Sequence, residues 1–283
     1  MTTAGVVLVT HDSDRWIDQT LTSILGQTQS PDEIVVIDDG STDRTTEIVL
    51  AALGSAGRVE ESTTTDESRI TRIAANFAQG LRLLQHCDVV VLGDHDDVWY
   101  PERIAWQVGQ LEAHPSASML ASDGRLVDGD GEPIGGTLRS VFPVPGDFNE
   151  LDPGRRMQVT LRHSIATGGA SAMRPAAFAD VEIPEGWLHD RWWSMVATAR
   201  EAMRVDDHVV IDYRVTADQE VGLDRGTQDA AGAARVSRAV SSGGAGAYRK
   251  LRDVQTRLFP LATTETRREL RTHRLLRTLV ERD

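Results

Sequence analysis

This chain predicts an α/β fold with a mainly parallel sheet flanked by helices. Three observations carry that prediction. Short apolar, β-branched runs alternate with segments of helical periodicity through the first hundred residues. Glycine and capping residues punctuate the junctions. Two of the apolar runs stop abruptly at clustered carboxylates. Repeated β-α-β units imply parallel pairing with right-handed crossovers. Ligands of such sheets sit beyond the carboxyl ends of the strands.

The elements follow in order. Gly5 to Thr10 is a β-branched run suited to a strand buried on both faces. Asp14 to Leu25 places Trp16, Ile17, Leu21, Ile24 and Leu25 at helical spacing. Ile34 to Ile37 is a second buried strand. Thr42 to Leu53 is a second helix, capped by Ser41 or Thr42 and ended by Gly54. A short strand is expected near Val59. Arg69 to Gln85 lines up Ile70, Ile73, Phe77, Leu81 and Leu84 on one helix face. Asp88 to Leu92 is the next strand, and a helix runs from Pro101 to about Ala113 before His114-Pro115 breaks it. Ser118 to Val127 reads as a strand turning at Asp128-Gly129-Asp130-Gly131. Residues 141–155, with three Pro and two Gly, read as a mobile loop of the kind that borders active sites. Ile165 to Met173 carries the small-residue stretch Thr167-Gly168-Gly169-Ala170-Ser171, which lets a ligand approach the backbone. Trp187 to Trp193 opens a helix to about Ala202, and Val209 to Tyr213 is a last strand. A Gly, Ala and Ser-rich linker and two closing helices complete the chain.

Composition narrows the classes. With 40% hydrophobic and 26% charged residues, the chain is globular in type. No apolar run approaches the roughly 20 residues needed to span a bilayer, and no signal peptide is expected. The single Cys87 excludes an internal disulfide and a multi-Cys zinc site. A cytoplasmic location is expected, at most peripheral to the inner face of a membrane. The net charge of −13 argues against nucleic-acid binding. The charge is uneven, since residues 249–283 hold ten Arg or Lys against five Asp or Glu.

Chemistry concentrates in three places. Val89-Val90-Val91 runs into Leu92-Gly93-Asp94-His95-Asp96-Asp97-Val98-Trp99. Carboxylates that close repel unless a cation lies between them, and hard Mg²⁺ or Mn²⁺ prefers oxygen ligands shared with phosphates. The competing reading is an acidic turn that caps the next helix. Asp38 and Asp39 end the second strand, where a carboxylate can accept from a base N–H or a ribose hydroxyl, or can merely cap. Asp190 is the best candidate for a general base, with Trp187, Trp192 and Trp193 as an apolar wall that tunes it. Aromatic faces also stack on sugars, so Trp99, Trp187, His189, Trp192 and Trp193 are candidate acceptor contacts. Arg72 and Asn76 lie one turn apart and can reach one ligand.

These residues resemble the family 2 glycosyltransferases of GT-A fold, in their bacterial rhamnosyltransferase-like branch. The opening Val7-Leu8-Val9-Thr10-His11-Asp12, the strand end Ile37-Asp38-Asp39-Gly40-Ser41-Thr42-Asp43, the DxD-like Gly93-Asp94-His95-Asp96-Asp97-Val98-Trp99 and His189-Asp190 before Trp192-Trp193 carry the resemblance, which covers about residues 4–222. It implies that Asp39 with Asp38 holds base and ribose. Thr10 and Asp12 would line the nucleotide pocket, Arg72 would reach the diphosphate or sugar, and Asp94 would contact ribose or metal-bound groups. Asp96 would ligate Mg²⁺ or Mn²⁺, and Asp190 would act as base. Related sequences often carry a metal-ligating His where Thr216 stands here. Asp218 or Glu220 would substitute, or water would fill the site, or metal dependence would be weak.

The organisation expected is a nucleotide-sugar-binding half over 1–100, an acceptor-binding and catalytic half over 101–222, a flexible linker over 223–248 and an Arg-rich helical C-terminus over 249–283. The function expected is inverting sugar transfer from a UDP- or dTDP-linked donor to a hydroxyl of a sugar, glycolipid or other acceptor, in bacterial cell-surface polysaccharide or glycoconjugate synthesis. The rivals are a catalytically weak or inactive nucleotide-sugar-binding scaffold and a nucleotidyltransferase, which would need a Gly-rich basic loop where Thr10-His11-Asp12-Ser13-Asp14 stands. The C-terminal helices are expected to cap the domain or to form a homodimer contact, with Arg outward. The alternative there is a peripheral contact with anionic lipid.

Overall fold

The computed structural model describes residues 2–66, 68–216 and 244–280. A nine-stranded sheet has the order β3-β2-β1-β4-β8-β6-β9-β5, with β7 paired to β6. Its first part is parallel: β1 (Ala4–Thr10) lies between β2 (Glu33–Asp38) and β4 (Val89–Asp94), and β3 (Gly57–Glu61) edges β2. The sheet then continues across residue 100. β6 (Met119–Val127) runs parallel to β9 (Met203–Arg214), and the short β8 (Ser171–Met173) joins β4 to β6 in antiparallel pairing. β5 (Val98–Trp99) pairs with β9, and β7 (Pro133–Thr137) with β6.

The alternation in β1 explains its double burial. Val6 and Leu8 enter one core with Ile17, Leu21 and Ile24, whereas Val7 and Val9 enter the other with Phe77 and Leu81. All of these are buried, and each contributes roughly 1.5–3 kcal/mol relative to exposure. The first core rests on α1 (Ile17–Leu25), α2 (Thr45–Leu53) and α4 (Arg103–Ala113). The second rests on α3 (Arg69–Leu83) and α7 (His189–Ala199).

Several boundaries differ from expectation for physical reasons. The second helix begins at Thr45, not Thr42. Ser41 and Thr42 are taken by Asp38 and Asp12, and the Asp43 carboxylate accepts from Thr45 N at 2.8 Å instead. The expected loop 141–155 is partly ordered. It holds α5 (Leu138–Val141), a turn at Phe148–Glu150 that buries Phe148, and the start of α6 (Pro153–Arg162). Asp152 caps α6 by accepting from Arg155 N at 3.0 Å, with Pro153 at the first helical position. The Asp-Pro pair was the available signal.

Of the expected linker, residues 223–243 lie outside the described residues, and α8 (Gly244–Asp253) begins inside its remainder. After α8 the chain forms α9 (Thr264–Arg267) and α10 (Thr272–Val280). Val254, Leu258, Leu270 and Leu275 are buried in the core that α7 shares. The described part of the C-terminus thus packs on this core. Among the described residues no helix is long and apolar enough to cross a membrane.

Candidate functional site

The carboxyl ends of β1, β2 and β4 lie side by side, with Thr10 opposite Asp38 and Val9 opposite Asp94 in register. Beyond β2 the chain turns at Gly40, whose φ of 74° suits a residue without Cβ. Asp38 holds that turn. Its carboxylate accepts from Thr10 Oγ1 at 3.1 Å, Ser41 Oγ at 2.6 Å and Ser41 N at 3.0 Å. Both oxygens accept hydrogen bonds within the fold. Thr10, wholly buried, acts on Asp38 rather than on the open pocket. Asp12 sits at φ 42° and accepts from Thr42 N at 2.7 Å. That bond holds its carboxyl below the usual range. It staples two loops at the rim.

Asp39 is placed otherwise. Its N–H continues the ladder to Thr10 O, and Arg72 Nε donates to its Oδ2 at 3.1 Å. Arg72 is thereby fixed with its guanidinium at the strand ends. One turn on, Asn76 is wholly buried. Its Oδ1 accepts from Ser62 Oγ at 2.6 Å, and its Nδ2 has no partner among the described residues.

The acidic end of β4 is the electrostatic centre. Asp97 is fully buried. Its Oδ1 accepts from Arg214 N at 3.1 Å, while its Oδ2 has no partner among the described residues. Burial, then the neighbouring Asp96 and Asp94, push its carboxyl well up. Asp94 is pushed to about 7, first by burial and then by Asp96 and Asp190. Arg103 lies behind this cluster, 1% exposed. It donates to Leu92 O at 2.7 Å and stacks 3.7 Å over the Trp99 ring. Burial pulls it down to about 9, against the opposing pull of Asp97 and Asp94. Arg214, 2% exposed, is a second buried cation here, and its Nε donates to the Asp96 carbonyl at 2.8 Å.

Gly169 explains how the backbone fits there. A Cβ on it would lie 2.5 Å from Asp97 Oδ2 and 2.8 Å from Asp94 Oδ2. Tyr213 is the residue that sequence reading missed. It is buried at the end of β9, and burial followed by Asp97, Asp96, Asp94 and Asp190 raises its phenol well above the ordinary value.

The orphaned Asp97 oxygen and the raised Asp94 carboxyl fit a hard divalent cation. Among the described residues no group of three or more His, Cys, Asp or Glu is arranged to hold a metal. A cation here would therefore take one or two protein carboxylates and draw the rest of its shell from phosphate and water, as Mg²⁺ commonly does. Asp218, also expected as a ligand, lies outside the described residues.

Asp190 stands in the first turn of α7. Gly168 N donates to its Oδ2 at 3.2 Å and Arg191 N to its Oδ1 at 2.6 Å. Burial nevertheless raises it to about 6. Arg191 turns away and donates to the carbonyls of Thr160, Leu161 and His163, the open end of α6.

The aromatic residues expected to meet a sugar are packed elsewhere. His189 stacks on Phe77 at 3.8 Å and meets Trp193 edge-on at 5.5 Å. Burial pulls it to about 3, so the ring is neutral. Trp99, Trp192 and Trp193 are each no more than 2% exposed and belong to the two cores. Trp187 is buried and donates to Asp253 of α8 at 3.0 Å. These five residues build walls and leave no open ring face for stacking.

A family model described as Glycosyl transferase family 2 matches residues 5–182. Bacillus subtilis EpsE, named as a glycosyltransferase, is 26% identical over 193 residues, which is 65% of each chain. An uncharacterized glycosyltransferase of Nostoc sp. is 28% identical over 101 residues, 35% of this chain and 30% of that protein. The chain thus spans less than two thirds of either relative. Among solved structures, S. aureus TarS 1-349 in complex with UDP-GlcNAc gives a TM-score of 0.62 at 18% identity, covering 97% of this chain and 72% of that one. Glucosyl-3-phosphoglycerate synthase from Mycobacterium tuberculosis, in complex with Mn²⁺, UDP and glucosyl-3-phosphoglycerate, gives 0.52 at 18% identity, covering 77% and 74%. At such identities the likeness is one of fold, the expected GT-A type.

Proposed function

This chain belongs to glycosyl transferase family 2, and we propose that it moves a sugar, with inversion, from a nucleotide diphosphate sugar to an acceptor hydroxyl. UDP or dTDP is the favoured carrier, and cell-surface polysaccharide or glycoconjugate synthesis the favoured setting. The observation that carries this reading is geometric: Gly168 N donates to Asp190 Oδ2 at 3.2 Å, and a Cβ on the adjacent Gly169 would lie 2.8 Å from Asp94 Oδ2. It joins a candidate base on α7 to the acidic end of β4, two regions far apart in sequence.

In this reading Arg72, held by Asp39, faces the diphosphate. Asp39 presents its carboxylate toward the nucleoside. Asp96, with Asp94, would hold Mg²⁺ or Mn²⁺, which when bound offsets negative charge on the leaving diphosphate. Asp190 takes the proton of the acceptor hydroxyl at its carboxylate. The oxygen attacks C1 from the side opposite the diphosphate, so one displacement inverts the anomeric centre. Burial raises the Asp190 carboxyl to about 6, which suits it to that task, because a base works best with a pKa near the working pH. Two backbone N–H groups fix its rotamer. Arg103 and Tyr213 form the floor and wall of the acidic pocket.

The UDP complexes of the two similar structures support the UDP choice. The test is a melting-shift screen of UDP, dTDP, GDP and their sugars with Mn²⁺, followed by donor hydrolysis on the best binder. Protection by one nucleotide series with metal-dependent hydrolysis is expected. Binding without any turnover would return the chain to a scaffold.

A further inference from the structure

A pocket of about 310 Å³ lies between α6 and the segment Pro143-Val144-Pro145. Arg155, Gln158, Val159 and Arg162 of α6 line it, with His163 just after the helix. The four α6 positions fall three, four and seven residues from Arg155, so they share one helix face. No Asp or Glu is among the lining residues, in a chain whose net charge is −13. Two carboxylates that contact α6 are engaged. Glu269 accepts from Gln158 at 2.7 Å and pairs with Arg274, and Asp152 caps the helix. Arg155 is exposed and donates to Gln158 Oε1 at 3.0 Å, which aims the pair along the pocket.

The pocket adjoins the acceptor side. The His163 carbonyl accepts from Arg191, the neighbour of Asp190. From His163 the chain runs five residues to Gly168, whose N–H holds Asp190. Five residues span at most about 18 Å. His163 at the pocket and Gly168 at Asp190 thus lie no farther apart than the length of a short oligomer.

We propose that this pocket binds an organic anion carried by the acceptor, a phosphate- or carboxylate-bearing sugar or polyol unit. The proposal rests on the sugar-transfer reading above for its acceptor role. Arg155 supplies the charge that recognises the anion, a contact Arg makes well with planar or tetrahedral oxyanions. Pro143, Val144, Pro145 and Val159 give the organic part an apolar wall.

The test uses the full chain, wild type and Arg155→Glu, with glycerol 3-phosphate, glucuronate, glycerol and inorganic phosphate as probes. Binding is read by calorimetry with UDP and Mn²⁺ saturating, and again in EDTA. UDP affinity is measured on both proteins. Expected are binding of glycerol 3-phosphate or glucuronate, none of glycerol, weaker binding of inorganic phosphate, and roughly tenfold or greater loss in Arg155→Glu. Arg155→Lys should keep most of the affinity, and UDP affinity should not change. If UDP fails to bind either protein while the Arg155-dependent anion binding persists, the pocket stands and the donor reading falls. Equal binding to Arg155→Glu, no anion binding at millimolar probe, or inorganic phosphate binding as tightly as glycerol 3-phosphate would overturn the proposal.

Discussion

Gly168 donates its backbone N–H to Oδ2 of Asp190 across 3.2 Å, and the next residue, Gly169, passes against Asp94 and Asp97. Two consecutive glycines therefore touch both acidic groups of the site, one from the sheet and one from α7. This pair of contacts brings the two groups of carboxylates around one pocket.

Replacing Asp190 by Asn preserves shape and the hydrogen bond from Gly168 while removing the base. Turnover should fall by about 10²–10⁴-fold, with UDP affinity nearly unchanged. Steady-state rates beside UDP titration check this. Retained turnover would take Asp190 out of the role.

The pH profile should carry the same group. Burial raises Asp190 to about 6, and only its ionised form accepts a proton. The rate should rise from pH 5 to 7 with a midpoint near 6. Asp190→Asn should lose that limb from whatever activity remains. A wild-type profile that is flat from pH 5 to 7 would contradict the assignment.

Gly169→Ala should lower stability by about 1–3 kcal/mol, the usual cost of overpacking. The added methyl meets two carboxylate oxygens that lack room to retreat. It should also weaken UDP binding in Mn²⁺ buffer, because Asp94 is displaced. Melting curves and UDP titration report the two effects separately, and a fully wild-type result on both would be inconsistent with the close approach.

Metal should stabilise the chain more as pH rises. Asp94 is raised from 3.8 to about 7 in the folded state. A raised carboxyl contributes stability below its unfolded pKa and loses it as pH climbs through about 7. A bound cation removes that loss. Mn²⁺ should therefore raise the melting temperature more at pH 8 than at pH 6, and Asp96→Ala should abolish the difference. Equal shifts at both pH values, or a full shift in Asp96→Ala, would refute the metal assignment.

Trp192 distinguishes wall from platform. As a core residue 1% exposed, its replacement by Ala should cost about 3–5 kcal/mol. A sugar-stacking residue would instead lose acceptor affinity with little change in melting. Denaturant titration decides between them.

The donor half was legible because its signals are local. An apolar run that ends in Asp announces a strand and its carboxyl end together, as at Ile37-Asp38 and Leu92-Gly93-Asp94. The division of labour between Asp38 and Asp39 was not legible, since it depends on Ser41 and Thr10 folding back onto one carboxylate. Arg103 carries no local cue in the sequence. Only the packing of α4 under β4 buries it beside Trp99. Tyr213 gave no local cue, because β9 reaches the acidic cluster through pairing with β6 and β5. The tryptophans were misread for the same reason: a ring's exposure is set by what packs on it, which spacing along the chain does not reveal.

Among the described residues the C-terminal helices attach on the side of α6 and α7. Their hydrogen bonds and ion pairs reach α6, α7 and residues 182–187, through Thr263 and Thr266 to Ala199, Glu269 to Gln158, Thr278 to Arg162, Arg257 to Glu182 and Arg249 to Glu185. Modularity is the consequence. Exchanging residues 244–280 between relatives should reshape what α6 and α7 present while the ends of β1, β2 and β4 stay as they are. Chimeras of that kind should inherit their choice of nucleotide from one parent and their choice of acceptor from the other.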